Sequence, residues 1–138
     1  MNLLLAYGAS AVALLALDMV WLGVIAKALY RDGIGHLMAE VPNWFAAGAF
    51  YLLYPVALML FAVLPTGLPV AILMGDSRGS ALVGGALFGF FAYATYDLSN
   101  LATLKNWPWH LALVDIAWGT LASAAAAAAG RWVFDRLA

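Results

Sequence analysis

Four stretches of this chain are long and apolar enough to cross a bilayer, and three of them carry an aspartate. That combination limits the fold more than any short motif does. In hydrocarbon, backbone N–H and C=O groups must find partners without water, which leaves helices or closed barrels, and apolar runs of about twenty residues are helical spans. A carboxylate facing lipid at the centre of such a helix costs roughly 3 kcal/mol or more, so each aspartate is expected to turn inward. The spans are read at about residues 3–26, 43–64, 81–104 and 109–134, making residues 1–138 one transmembrane domain. Composition agrees: 67% of the 138 residues are hydrophobic and 9% charged, where soluble domains hold about half and about a quarter. The expected fold is an all-α integral membrane four-helix bundle.

The connections add detail. Residues 27–42 set Lys27, Arg31, Asp32, His36 and Glu40 against Tyr30, Ile34, Leu37, Met38 and Val41 at helical spacing, predicting a short interfacial amphipathic helix between helices 1 and 2. Pro42-Asn43-Trp44 reads as a helix restart, and Pro55 predicts a kink in helix 2. Between Pro65 and Ser80, turn-forming clusters enclose an apolar run too short to cross, which is expected to skim the surface. The tight connection Lys105–His110 makes helices 3 and 4 antiparallel neighbours, with Trp44, Trp107 and Trp109 read as interface anchors. Met1-Asn2-Leu3-Leu4-Leu5 has no Lys or Arg to open a secretory signal, so the first helix is expected to be retained. Lys27, Arg31 and Lys105 on one side balance Arg78, Arg131 and Arg136 on the other, and charge does not choose an orientation.

The polar stretch Phe90–Asn100 lies inside helix 3. At four-residue spacing Gly85, Gly89, Tyr93 and Asp97 share a face, with Tyr96 and Asn100 beside them. Depth follows from topology, because the 1–2 and 3–4 connections share a side. Asp18 is nine residues before Lys27, Asp97 eight before Lys105 and Asp115 five after His110. At about 1.5 Å per residue, all three lie roughly 8 to 14 Å below the same surface. Tyr51 reaches a similar depth, and Tyr54, Trp21 and Trp118 lie near by. The other half holds small residues, Gly119, Ala122, Ser123, Ala126 and Gly130, opposite Gly85 and Gly89. The reading is a bundle sealed at the terminal side and opened into a pocket on the loop side, with Arg31, His36, Lys105 and His110 around its mouth.

Three acids at one depth, with no Lys or Arg counted to it, favour protonation of at least one carboxyl and hydrogen bonds from Tyr, Trp and Asn to the others. The bland alternative is an interhelical clamp that sets register without chemistry. No cofactor is implied. Asp18, Asp97, Asp115 and Asn100 offer hard oxygen ligands, but the histidines lie near the surface, and no metal site is assigned. Hydrolase, zinc-protease and phosphate-loop motifs are absent, so no catalytic residue or reaction is assigned. With no cysteine and no basic run, thiol chemistry and nucleic-acid binding are excluded.

Leu17–Gly23, Phe50–Tyr54, Tyr93–Thr103 and Val114–Thr120 together resemble the bacterial membrane family known as domain-of-unknown-function family 2177. The resemblance implies a small multi-helix membrane protein, with the bacterial inner membrane as its expected location, and supplies no reaction. The functional expectation is a one-sided intramembrane pocket for a small or lipid-like molecule, lined by Asp18, Asp97, Asp115, Asn100, Tyr51, Tyr54, Tyr93, Tyr96, Trp21 and Trp118. The alternatives are a proton- or cation-coupled transporter, working as a homo-oligomer, and an accessory subunit docking through its Ala/Gly face. Membrane lipids are the expected surroundings in each case.

Overall fold

Helix α1 (Asn2–Val20) runs on through a π turn at Trp21–Ile25. The computed structural model describes residues 1–64 and 77–138, apart from the side chains of residues 77 and 78, and the surface segment expected between Pro65 and Ser80 lies largely outside it. After Ala26 comes the short α2 (Lys27–Ile34), closed by a 3₁₀ turn at Gly35–Leu37. Helix α3 (Trp44–Leu58) passes through Pro55 and widens into a π turn at Met59–Val63. The long α4 (Ser77–Thr103) and α5 (Trp109–Leu137) complete the chain. Four of these segments are long and apolar enough to span a membrane: Asn2–Ile25, Trp44–Val63, Gly79–Thr103 and Trp109–Leu137. The fold is the expected all-α membrane bundle with a short helix between its first two spans, and no strand occurs among the described residues.

Local chemistry sets the ends. Asn43 caps α3, its side chain accepting from the Ala46 N–H at 3.1 Å. Asn106 takes up the left-handed turn between α4 and α5 with φ 61°, a conformation asparagine tolerates. Pro108 then precedes the first turn of α5. Two expectations change here. The amphipathic segment 27–42 is α-helical only to Ile34, where Gly33 and Gly35 weaken it, and ends in the 3₁₀ turn. Ser77–Ser80, expected as turn, begin α4.

Helix α5 is the hub, packing along α4 on one side and α1 on the other. Its small residues let the backbones approach closely. A Cβ on Gly85 would stand 2.6 Å from Ala127 Cβ and from the Ser123 carbonyl, and one on Gly89 would meet Ser123 Oγ at 2.5 Å. Gly119 accommodates the Tyr93 ring, and Gly130 faces Ser10. Ser10 donates to the Ala126 carbonyl at 2.9 Å, so its buried hydroxyl is satisfied. At the terminal side Ala6, Met59, Ala62, Val63 and Ala127 form a tight cluster, and Asn2 Nδ2 donates to the Leu137 carbonyl at 2.5 Å. The termini therefore share a side. Leu4, Val12, Leu52, Phe91 and Leu121 point outward, as lipid contact requires.

Candidate functional site

The polar residues of the first, fourth and fifth helices gather at the end away from the termini. Asp18, Asp97 and Asp115 are buried, with 4%, 0% and 7% of their surface exposed. Each is held by aromatic donors. Tyr51 donates to Asp18 Oδ2 and Trp118 Nε1 to Asp18 Oδ1, both at 3.0 Å. Tyr30 donates to Asp115 Oδ1. Trp107 Nε1 donates to Asp97 Oδ1 at 3.3 Å.

These pairs form one connected set. The Trp118 ring stacks on Trp21, with centroids 4.4 Å apart and planes 3° from parallel. Trp21 Nε1 donates to the Tyr30 hydroxyl at 3.2 Å, and Tyr30 carries the chain to Asp115, whose carboxyl lies within hydrogen-bonding reach of Asp97. Asp97 Oδ2 is buried and receives no donor from the described residues. Carboxylates offer only acceptors, so the Asp97–Asp115 contact is a hydrogen bond only when the two carboxyls hold a proton between them. Tyr30 lies outside the spans. Burial, and then the Asp115 carboxyl beside it, push its phenol above the usual tyrosine range.

Beside this network lies a cavity of about 390 Å³, lined by Asp18, Trp21, Tyr30, Phe50, Tyr51, Tyr93, Tyr96, Asp115 and Trp118 with Leu22, Ile34 and Ala47. A neighbouring cleft of about 410 Å³ is lined by Phe50, Tyr54, Ala92, Tyr93, Tyr96 and Asp115. Of the residues singled out from sequence, Asp18, Asp115, Tyr51, Tyr54, Tyr93, Tyr96, Trp21 and Trp118 line one or both spaces. Asp97 and Asn100 line neither. Asp97 stands behind Asp115, and Asn100 lies one turn beyond Tyr96, within hydrogen-bonding reach of it. Tyr54 shares a 2.8 Å hydrogen bond with Ser123 rather than with an acid.

Two sequence expectations are corrected. Trp107, read with Trp44 and Trp109 as an interface anchor, is only 9% exposed and serves Asp97, whereas the other two remain exposed. Arg31, His36, Lys105 and His110 do not line the described cavities. Helix α2 covers that end instead: Leu29, Tyr30 and Ile34 pack on Trp107, Leu111 and Ala112, and Gly33 lies close to Pro108. Sequence reasoning missed Tyr30, Phe50 and Trp107. The spacing of Tyr30 and Ile34 on the apolar face of residues 27–42 was the signal that this face covers something.

Among the described residues, no group of three His, Cys, Asp or Glu is arranged to hold a metal ion. The model of a family described as "Predicted membrane protein (DUF2177)" matches residues 3–132. Comparison with curated proteins and with solved structures gives no match.

Proposed function

The chain belongs to this DUF2177 family of predicted membrane proteins, and from that premise we propose that it binds a small or lipid-like molecule within the bilayer, beside Asp18 and Asp115. The observation that supports this reading is the cavity of about 390 Å³ between two carboxyl groups and a wall of aromatic rings. A clamp that served register alone would fill the space between the helices. Here Asp18 is satisfied by Tyr51 and Trp118, and open volume remains next to it. Binding is preferred to transport because the terminal half is packed at backbone distance around Gly85, Gly89 and Gly130, which gives the cavity a closed end. The bacterial inner membrane is the proposed location.

Native mass spectrometry of the full chain, extracted with its own lipids into nanodiscs, tests the reading. The wild-type protein is expected to retain a bound molecule that the combined Asp18→Asn and Asp115→Asn variant has lost while keeping its helical circular dichroism. The same adducts in the same proportion on both proteins would overturn it.

A further inference from the structure

We propose that the cavity is reached sideways from the bilayer, through the gap between α3 and α4, and that it takes a single-chain amphiphile with a cationic, hydrogen-bond-donating head. This rests on the binding reading above and adds a route and a ligand class to it. The route follows from how the two helices diverge. They meet at the π turn Met59–Val63, where a Cβ on Gly84 would lie 3.4 Å from Ala62. Toward α2 they part, and the apolar cleft opens between Phe50 on one side and Tyr96 on the other, both exposed. Phe50, Tyr93, Tyr96 and Asp115 also line the cavity beside Asp18, so cleft and cavity adjoin. The cavity's aqueous end lies under α2, which is packed onto the start of α5. A molecule already dissolved in the bilayer meets the apolar cleft directly.

Charge complementarity selects the head. Asp18 and Asp115 are buried and line the cavity, and an ammonium group placed beside either favours its ionised form. The donors to these two carboxyls are phenols and an indole, which carry no charge. Among the described residues, neither space is lined by Lys, Arg or His. Buried charge without a countercharge is costly, and a charge-assisted hydrogen bond from an ammonium group offsets that cost. The Tyr93 and Tyr96 rings would attract the same cation through their faces, while the apolar cleft suits an alkyl chain. An anionic head would meet only acids and neutral groups.

The test uses the full chain in nanodiscs of uncharged lipid, with empty nanodiscs as background. Dodecylamine, dodecanol and dodecanoate are titrated as radiolabelled probes. Dodecylamine is expected to bind saturably, dodecanol about tenfold or more weakly because it lacks the charge-assisted bond, and dodecanoate least. The chain has no cysteine, so Phe50→Cys with Tyr96→Cys can be bridged by a cleavable thiol crosslinker. Bridging should slow dodecylamine association severalfold, and cleavage should restore it, which also shows that the variant is folded. Equal binding of amine and alcohol would overturn the cationic head. Unchanged association after bridging would overturn the lateral route. Retention of a native molecule in mass spectrometry alongside failure of dodecylamine would overturn this inference and leave the binding reading standing; loss of both would overturn the two together.

Discussion

Tyr30, on a short helix outside the bundle, donates its phenolic proton to Asp115 on the last transmembrane helix. The same hydroxyl accepts from Trp21 Nε1 at 3.2 Å. One side chain thus fastens α2 over the polar end of the bundle and links α1 to α5. An acid inside a membrane helix is made tolerable by a residue that a hydropathy reading assigns to the surface.

Replacing Tyr30 by Phe keeps the ring and removes both bonds, leaving Asp115 Oδ1 buried without that donor. The expected loss is about 1–2 kcal/mol, since polar contacts in membrane bundles rarely exceed that. Unfolding in mixed micelles by SDS titration measures it. An unchanged midpoint would show that α2 is held by its apolar face alone.

The same residue gives alkaline pH a specific effect. Its phenol is raised above the ordinary value by burial and by Asp115, so the folded form holds a proton that the unfolded chain gives up. The stability this contributes is complete below about pH 10, where free tyrosine is protonated. It falls as pH rises from there through the folded value, because the unfolded state then binds fewer protons. Unfolding measured across that range should decline less steeply in Tyr30→Phe than in the wild-type protein.

Glycines at the helix contacts and glycines on an open face respond oppositely to an added methyl. Gly89→Ala would drive a Cβ to 2.5 Å from Ser123 Oγ, and Gly119→Ala would drive one into the Tyr93 ring. Each is expected to cost about 1–3 kcal/mol or more through overpacking. Gly48 on α3 has nothing within 4 Å of its added Cβ, so Gly48→Ala should be neutral or stabilising by up to about 1 kcal/mol, from helix propensity. Paired thermal melts in one detergent would distinguish the two kinds.

Much of this was legible because helical phase and depth are counted directly along a span. Asp18, Asp97 and Asp115 could be brought to one end of the bundle from their distances to Lys27, Lys105 and His110, and Gly85 and Gly89 could be set against the small face of α5. What escaped counting was the fold-back of non-spanning segments. Trp107 sits in a connection whose composition matches an interface belt, yet the left-handed turn at Asn106 precedes it and its indole reaches Asp97. Tyr30 belongs to an amphipathic helix whose apolar face covers protein rather than lying on lipid. Tertiary docking of this kind leaves only a weak periodic trace in the sequence. The lateral opening depends on how α3 and α4 diverge, which spacing within either helix does not encode.

The Asp97–Asp115 contact can be tested through an isostere. Asp97→Asn supplies an amide donor where a shared proton would otherwise be needed, so folding stability should stay within about 1 kcal/mol of wild type. Asp97→Leu leaves the Trp107 indole without its acceptor and should cost about 1–3 kcal/mol. The comparison is read from SDS unfolding midpoints at neutral pH; equal losses from both substitutions would mean that the contact carries no proton.

A structure of the full chain in a lipid nanodisc, at a resolution that shows side chains and ordered lipid, tests binding within the bilayer most directly. Elongated density is expected between Phe50 and Tyr96, with its polar end within hydrogen-bonding distance of Asp115. A bundle in which α3 closes onto α4 and fills that space with side chains would contradict it.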